Sequence, residues 1–228
     1  MYNLDKKLNG GKTLRKVAWS VAHQEFIISD HYYFSKLQKY AKEENIHIDE
    51  VDEIEKFANY DTIIFNYPEI PFKPEEVDFI EELVKKGKTV GIFAYYKNED
   101  RIADTCNTLS ERFGIKFNGD IIIDNVNNYD NDNLLITTSD IYNMPDNIKK
   151  VMLACTDSLI TTSPNVRPLI HGEDTAESKL EEETLLFAEY VDPESGGKFI
   201  AGGTCVFWDN YSIDLYNNKE FSLNLLTR

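Results

Sequence analysis

The sequence is poor in cysteine. Its three cysteines, Cys106, Cys155 and Cys205, stand far apart, and no CxxC pair occurs among them. A sparse and odd number of cysteines does not form a disulfide framework, and zinc sites usually need the closely spaced pairs that are missing here. Free thiols are typical of a reducing compartment, so we predict a cytoplasmic protein.

Long apolar runs are also missing. No stretch approaches the ~20 apolar residues that a transmembrane helix requires. The first residues, MYNLDKKLNGGKTLRK, contain no apolar core that would act as a secretion signal. The sequence therefore predicts a soluble protein without membrane insertion.

Positive charge is scarce, since 24 lysines and arginines stand against 40 aspartates and glutamates and leave a net charge of -16. Solubility accounts for most of this charge, and such a surface also repels phosphates, so we expect no nucleic-acid partner. No GxGxxG or GxxxxGKS/T pattern follows a predicted strand, and Asp30 at the start of the first predicted helix would repel a phosphate. We predict no cofactor and no metal.

The chain does contain an apolar fraction of 42%, with 13 tyrosines and 13 phenylalanines, which is enough for a large core. Its first half alternates between strand and helix patterns. Strands are predicted at residues 16–22, 46–48, 62–65 and 89–93. Helices are predicted after Asp30, which suits an N-cap, after Pro74, and from Ile102 to Gly114. This alternation with short connections predicts a parallel sheet that helices cover on both faces.

The second half has a different pattern. Short strands are predicted at residues 134–138, 151–154, 158–161, 168–170, 185–191 and 198–201. Cys205–Phe207 would extend the last strand, and Asn218 would cap a final helix. The segments 124–133, DNVNNYDNDN, and 171–183, HGEDTAESKLEEE, are predicted to be polar loops. The first of them could hold a cation, but it lacks the spacing of an EF-hand, which favours a solvated loop.

Together these patterns predict a polar lead-in over residues 1–13 and a single α/β domain over residues 14–228. The sheet is expected to be doubly wound and mostly parallel, in the flavodoxin-like arrangement. No internal repeat or linker divides the chain, and the sequence sets no oligomeric state.

The order of these segments resembles the class I glutamine amidotransferase-like superfamily. The resemblance covers roughly residues 15–226 and rests on AHQEF, HYYFSKLQKYAKEENI, YDTIIFNYPE, FIEELVKKGKTVGIF and the closing GGKFIAGGTCVFWDNYSIDLYNNKEFSLNLL. It points to a non-catalytic branch with auxiliary domains of gliding-motility transporters, an intraflagellar transport domain and prokaryotic domains of unknown function. The recurring positions of that branch would correspond to His23, Gly203, Asn218, Phe221 and Asn224. The resemblance implies a three-layer sandwich around the sheet.

Enzymes of this superfamily place a Cys nucleophile on a sharp turn after a strand, next to a His and an acid. The corresponding strand here is TVGIF, and Ala94, Tyr95, Tyr96 and Lys97 follow it. No Cys or Ser stands at that turn, so the nucleophile that acyl transfer needs is missing. The resemblance therefore implies the fold and argues against glutaminase activity.

In a doubly wound sheet, ligands bind at the carboxyl ends of the strands. The segments 22–30, 66–69, 94–97 and 205–209 all follow predicted strands and should meet there. We predict a ligand site at this edge, formed by aromatic rings and a few polar groups. Its predicted residues are His23, Gln24, Glu25, Asn66, Tyr67, Glu69, Tyr95, Tyr96, Lys97, Trp208 and Asp209.

Plainer roles stay open for the titratable residues. His23 could cap a neighbouring backbone group, and Glu25 and Glu69 could form an acid–base pair or be solvated. Cys205 could pair with His23 as nucleophile and base, although small buried thiols are common. His171 could belong to a metal site, but its charged surroundings favour a solvated loop.

These observations lead to three hypotheses for the function. The first is a non-catalytic module that binds a small polar ligand, with carbohydrate as one candidate, or a protein partner at the carboxyl edge of the sheet. The second is a hydrolase with a relocated active site around His23. The third is a structural or assembly protein, with Phe72 in PEIPFKPEE as a candidate partner contact.

Overall fold

The computed structural model describes residues 14–180 and 182–228, so the predicted lead-in over residues 1–13 lies outside the described residues. The strands are β1 Arg15–Ser20, β2 Ile46–Val51, β3 Thr62–Asn66, β4 Thr89–Phe93, β5 Ile115–Phe117, β6 Ile122–Asp124, β7 Asn128–Tyr129, β8 Asp132–Thr138, β9 Val151–Ala154, β10 Leu159–Thr161, β11 Val166–His171, β12 Ala176–Ser178, β13 Leu185–Val191 and β14 Lys198–Gly202. The helices are α1 His31–Glu43, α2 Pro74–Lys85, α3 Ile102–Ser110 and α4 Asn218–Thr227. Short 3-10 helices cover Ile54–Asn59, Tyr96–Arg101 and Glu111–Phe113.

A seven-stranded sheet forms the centre of the protein, in the order β11-β13-β14-β4-β3-β1-β2. The strands β2, β1, β3, β4 and β14 run parallel to one another. Only β13 is antiparallel to the strands beside it, β14 and β11. The prediction of an α/β protein with a mostly parallel sheet is therefore confirmed.

The first helix begins where the sequence places its cap. The side chain of Asp30 accepts a hydrogen bond from the backbone N–H of Tyr32 over 2.9 Å, which satisfies a donor of the first helical turn. Phe34, Leu37 and Ala41 then lie on one buried face at helical spacing. The helix packs this face onto the sheet, where the ring of Phe34 lies 5.4 Å from that of Trp19 on β1.

The second helix is also formed by local signals. Pro74 occupies the first turn, and the Glu76 carboxylate accepts from the backbone N–H of Lys73 over 2.8 Å. The chain leaves the helix through Gly87, whose φ of 84° is a conformation that other residues rarely adopt. The buried face, as predicted, is made of Val77, Ile80, Leu83 and Val84.

The two faces of the central sheet carry different aromatic clusters. Trp19 contacts Trp208 at a ring distance of 5.0 Å, and Phe93 contacts the same indole at 4.7 Å. Phe65 instead packs against Phe72 at 4.9 Å, just before α2. Because successive residues of a strand point to opposite faces, and Asn66 next to Phe65 contacts Trp208, the two clusters lie on opposite sides of the sheet.

The two segments predicted to be polar loops contain short strands. Residues 124–133 include a hairpin in which Tyr129 pairs with Asp132, and Asp130 and Asn131 between them have φ of 58° and 59°. Positive φ at both central residues is the geometry of a tight hairpin turn. Residues 171–183 include β12, which pairs with β6. The sequence missed these strands because two or three residues are too few to show a periodicity.

The expected extension of the last strand through Cys205–Phe207 is wrong. β14 ends at Gly202, and the chain then turns toward the segment after β9. The backbones approach so closely that a Cβ on Gly203 would lie 1.9 Å from the carbonyl oxygen of Asp157. Only an isolated bridge follows, between Val206 and Ala154.

Asn218 starts the final helix but does not cap it. Its side chain is fully buried and accepts from the N–H of Met152 over 2.9 Å. Its amide nitrogen donates to the carbonyl oxygens of Met152, Phe207 and Ser212. Asn218 therefore connects α4 to β9 and to the chain after β14. The sequence predicted a helix cap at this position and did not indicate these distant contacts.

Two buried carboxyl groups join two connecting segments, the one between β5 and β6 and the one between β9 and β10. Asp157 accepts from the N–H groups of Asp120 over 2.9 Å and Gly119 over 3.0 Å. Asp120 in turn accepts from the N–H and the hydroxyl of Ser158. Burial, together with the neighbouring Asp120, raises the pKa of Asp157 to about 9. Burial opposes ionisation of Asp120 as well, but the hydrogen bonds from Asp157 and the serines lower its pKa.

Across residues 14–180 and 182–228, no helix combines the length and the apolar character that a membrane crossing would require.

Candidate functional site

A cavity of about 410 Å³ lies at the carboxyl edge of the central sheet. It is bounded by residues that follow β1, β3, β4 and β14 and by the start of α1. Its lining consists of Phe26, Tyr33, Phe34, Tyr67, Tyr95, Glu99, Asp100, Cys205, Val206 and Asp209. This is the edge at which open α/β sheets bind their ligands.

Backbone hydrogen bonds fix the segments around the cavity. The N–H of Phe26 donates to the carbonyl oxygen of Asn66 over 3.1 Å, and the N–H of Tyr67 donates to that of Phe93 over 3.0 Å. The indole of Trp19 donates to the carbonyl oxygen of Phe26 over 2.6 Å. Tyr67 has a φ of 65°, which turns the chain sharply at the end of β3 and sends its ring into the cavity wall.

Aromatic rings form most of the cavity wall. Phe26 and Tyr67 stack with ring centres 4.8 Å apart and planes 19° apart. Tyr95 meets Tyr67 edge-on at 6.0 Å. Tyr33 and Phe34 face the cavity from α1. Such a wall offers a ligand a largely aromatic surface.

The charged groups of the lining are all acidic. Glu99 and Asp100 are exposed at the mouth, whereas Asp209 is 8% exposed. Asp100 accepts a hydrogen bond from the hydroxyl of Tyr67 over 2.9 Å. Burial and the acceptor Asp100 raise the pKa of Tyr67, and burial and a hydrogen bond to Cys155 raise the pKa of Tyr95. Both phenols are therefore neutral at physiological pH.

Part of the predicted site lines the cavity, namely Tyr67, Tyr95 and Asp209. Asn66 and Trp208 are fully buried beside it, and the Trp208 indole donates to Oδ1 of Asn66 over 3.2 Å. These two residues support the site without lining it.

Other predicted residues lie outside the cavity lining. Gln24 and Glu69 are exposed, and the N–H of Glu69 donates to the carbonyl oxygen of His23. The ammonium of Lys97 lies 4.6 Å from the ring centre of Tyr96, so this pair forms its own surface contact. Loop ends at one edge of a sheet spread over a wide rim, and only part of that rim closes around a cavity.

His23 lies on the other face of the sheet. Its ring is 2% exposed, stacks on Phe72 at 4.0 Å and contacts Phe65 at 5.8 Å. Its Nε2 lies 3.3 Å from Oε2 of Glu76, and its Nδ1 lies 3.8 Å from Oε1 of Glu25. The position after β1 places His23 at the right edge, but the sequence does not determine the face on which the side chain packs.

The two carboxylates that could have formed an acid–base pair differ in their surroundings. Glu25 is buried, and its Oε2 accepts from the N–H of His23 over 2.7 Å, whereas Glu69 is exposed. Phe72, the candidate partner contact, is 6% exposed because it packs on His23. That residue is therefore part of the core and not of a docking surface.

Cys205 lines the cavity, but its surroundings do not activate it. Burial, followed by the nearby Asp209, raises the pKa of its thiol, so the nucleophilic thiolate is disfavoured. The base proposed for it, His23, packs against Phe65 on the opposite face. The dyad considered from sequence is not formed. At the turn after β4, Ala94 is buried and Tyr95 lies in the cavity wall.

The candidate cation sites have structural roles. Asp124 accepts from the N–H groups of Val126 and Asn127 and from the hydroxyl of Thr175, which closes a turn. His171 packs edge-on against Tyr142 at 5.7 Å. Within the described parts of the chain, no group of three or more His, Cys, Asp or Glu is placed to hold a metal ion.

The predicted site residues include only three of the ten residues that line the cavity. Phe26, Tyr33 and Phe34 carried a signal, because they stand in AHQEF and HYYF directly around the turn between β1 and α1. Glu99 and Asp100 follow a series of left-handed residues after β4, at Lys97 and Asn98. Nothing in the sequence predicts that backbone path.

No known family model matches the chain. An uncharacterized protein of Aquifex aeolicus (strain VF5) is 52% identical over 218 residues, which cover 92% of this chain and 92% of that protein. Among solved structures, the mmIFT52 N-terminal domain is similar with a TM-score of 0.77 at 18% identity, over 93% of this chain and 97% of that domain. A cytoplasmic protein from Salmonella typhimurium reaches a TM-score of 0.48 at 11% identity, over 94% of this chain and 98% of that one.

The match to the mmIFT52 N-terminal domain shows a shared fold, in agreement with the resemblance to a branch that contains an intraflagellar transport domain. At 18% identity, the similarity to this domain shows the fold alone. Sequence identity of 52% over nearly the whole length is a different case. On that identity, the chain belongs to the same protein family as the uncharacterized protein of Aquifex aeolicus.

Proposed function

We propose that this protein is a non-catalytic binding module that takes a small polar ligand in the cavity at the carboxyl edge of its sheet. The observation that supports this most directly is the aromatic and acidic lining of a cavity of about 410 Å³, a volume within the usual range for small-molecule sites. Tyr95 and the buried, neutral thiol of Cys205 stand in this wall. A wall of this kind favours binding and provides no activated nucleophile.

The superfamily resemblance supports the same proposal. The strand order β2-β1-β3-β4 is that of flavodoxin-like sheets, and helices would cover both faces in the three-layer arrangement of class I glutamine amidotransferases. In those enzymes the turn after the strand that corresponds to β4 carries the nucleophile. Here Ala94 and Tyr95 occupy that turn, and we infer that the cavity has kept the place of a ligand site without the reaction. We expect the protein to act in the cytoplasm.

A protein partner at the same rim is the second candidate. Exposed aromatic residues lie in and next to the lining: Phe26 lines the cavity, and Tyr32, which is 64% exposed, contacts the lining residue Tyr33 at a ring distance of 4.9 Å. Tyr32 and Tyr211 contact each other through their hydroxyl groups. A partner protein could place one of its side chains in the cavity and contact these exposed rings. Both candidate functions therefore use the cavity, and the cavity is tested first.

Thermal unfolding against a library of sugars and small metabolites tests the proposal. A compound that binds only the native state raises the melting temperature. We expect at least one such compound, and the shift should shrink in Phe26→Ala, which removes an exposed ring from the wall. Tyr142→Ala is the matched control, since Tyr142 is similarly exposed and lies outside the lining. Turnover of a library compound that disappears in Cys205→Ala would contradict a non-catalytic role.

A further inference from the structure

We propose that the ligand of the cavity carries a positive charge, in the form of an alkylated ammonium group such as that of choline. This inference rests on the proposed binding function and adds the chemical class of the ligand. Three features of the described cavity support it: the sign of its charges, the arrangement of its rings, and an aspartate oxygen that has no donor.

The first feature is uncompensated negative charge. Glu99, Asp100 and Asp209 line the cavity, and no lysine, arginine or histidine is among the lining residues. The net charge of -16 adds to the same potential. Acidic groups in a concave site with apolar walls focus the field and raise the local concentration of cations. A neutral sugar would leave these charges without a counterion, whereas a cation would gain from all of them.

The second feature is the aromatic wall. Phe26 and Tyr67 stack at 4.8 Å, Tyr95 lies edge-on to Tyr67, and Tyr33 and Phe34 add two further rings to the lining from α1. The face of an aromatic ring carries partial negative charge and attracts a cation at close range. Rings arranged around a space are the usual means of holding a quaternary ammonium group, because such a group is too weakly hydrated to need oxygen ligands on every side.

The third feature is Asp209. One of its oxygens accepts from the N–H groups of Tyr211 over 3.1 Å and Ser212 over 2.8 Å, which fixes the orientation of the carboxylate. Among the residues that the structure describes, no donor lies on its second oxygen. The residue is 8% exposed and lines the cavity. A cation bound in the cavity would lie beside this carboxylate, where the low exposure of Asp209 reduces the screening of their attraction by water.

Other cations fit less well. A bare metal ion requires several oxygen or nitrogen ligands around one point, and the described residues contain no such group. The nearby ammonium of Lys36 is already paired with Asp214 over 2.6 Å and so does not serve Asp209. An organic cation, which needs a carboxylate and aromatic rings around it, matches the residues of the lining.

Calorimetric titration with choline tests the inference, and 3,3-dimethyl-1-butanol is the control because it has the same shape without the charge. We expect saturable binding of choline and at least tenfold weaker binding of the alcohol and of glucose. Raising the salt concentration should weaken choline binding, as screening reduces a charge-based attraction. A short peptide that carries trimethyllysine distinguishes the source of the group, since tighter binding of the peptide than of choline points to a protein ligand.

Asp209→Asn removes the charge and keeps an oxygen that can accept from Tyr211 and Ser212. We expect it to weaken choline binding at least fivefold, whereas Asp146→Asn, at an exposed position outside the cavity, should not change it. If Asp209→Asn fails to fold, Phe26→Ala is used in its place, and we expect it to weaken choline binding by the same factor. Equal affinity for choline and the neutral alcohol would overturn the inference and leave a binding function in place. A cavity that binds none of the sugars, metabolites or cations would overturn both.

Discussion

Trp208 and Asn66 are joined by a buried hydrogen bond in which the indole N–H donates to Oδ1 over 3.2 Å. The bond connects the end of β3 to the chain after β14, directly beside the cavity. Trp208 is also held by the rings of Trp19 and Phe93. The position of the neighbouring Asp209 thus depends on a polar contact inside an aromatic cluster.

A double-mutant cycle on this pair should show strong coupling. Asn66→Leu leaves the indole N–H of Trp208 buried without an acceptor, and we expect a loss of about 1–3 kcal/mol in the free energy of unfolding. Trp208→Phe removes the donor and also leaves a gap. The double variant should lose less than the sum of the two, because no polar group is then left unpaired. Urea unfolding of the four proteins measures the coupling, and strict additivity would show that the hydrogen bond contributes nothing.

His23→Ala should reduce stability and leave ligand binding unchanged. The ring of His23 is buried against Phe72 on the face opposite the cavity, so its removal leaves a gap that costs about 2–4 kcal/mol. His31→Ala, at an exposed position, is the matched control and should change stability by less than about 0.5 kcal/mol. Denaturant unfolding and choline titration give the two results. Loss of binding without loss of stability would place His23 in the site after all.

The contribution of Asp157 to the stability of the protein should fall as the pH rises from about 4 toward 9. In the folded protein, burial raises the pKa of Asp157 from its ordinary value of 3.8 to about 9. The folded state therefore binds more protons than the unfolded state over this range, and the contribution of Asp157 is complete below the ordinary value and lost as the pH passes the raised one. The slope from one such group is at most about 1.4 kcal/mol per pH unit.

Asp157→Asn tests this assignment, since the amide resembles the protonated acid. The pH dependence of urea unfolding between pH 5 and 9 should become flatter, even though the amide keeps only one oxygen for the N–H groups of Gly119 and Asp120. If the free energy of unfolding of the variant keeps the same dependence on pH, groups other than Asp157 cause that dependence.

Glu189→Gln should be strongly destabilising. The carboxylate is fully buried and forms ion pairs with Arg167 at 2.6 Å and with Arg228, whose side chain is also largely buried. Removing the charge leaves the guanidinium of Arg228 without its partner, and breaking such a pair typically costs about 3–5 kcal/mol. Glu53→Gln breaks the exposed pair with Lys56 and should cost less than about 1 kcal/mol. Equal melting temperatures for the two variants would contradict the expectation that the buried ion pair contributes more to stability than the exposed one.

The sequence predicted the elements of the first half well because each carried its own local signal. Asp30 caps α1, Pro74 opens α2, and Gly87 and Gly114 close their helices with positive φ. Strands such as β3 and β4 are fully buried and appear as continuous apolar runs. The second half was less predictable, since β6, β7 and β12 are too short for a pattern, and β6 and β12 pair with each other although they lie far apart in sequence.

By itself, the sequence determined the mostly parallel sheet and the loops that lie at its carboxyl edge, because strand and helix periodicities and caps act within a few residues. The tertiary structure alone decided which side chains meet at that edge. His23 packs against Phe72 on one face of the sheet. Tyr67, Tyr95 and Asp209 line a cavity together with residues of α1. The physical reason is that the face on which a side chain packs after the end of a strand depends on contacts with distant segments, and these leave no local periodicity in the sequence.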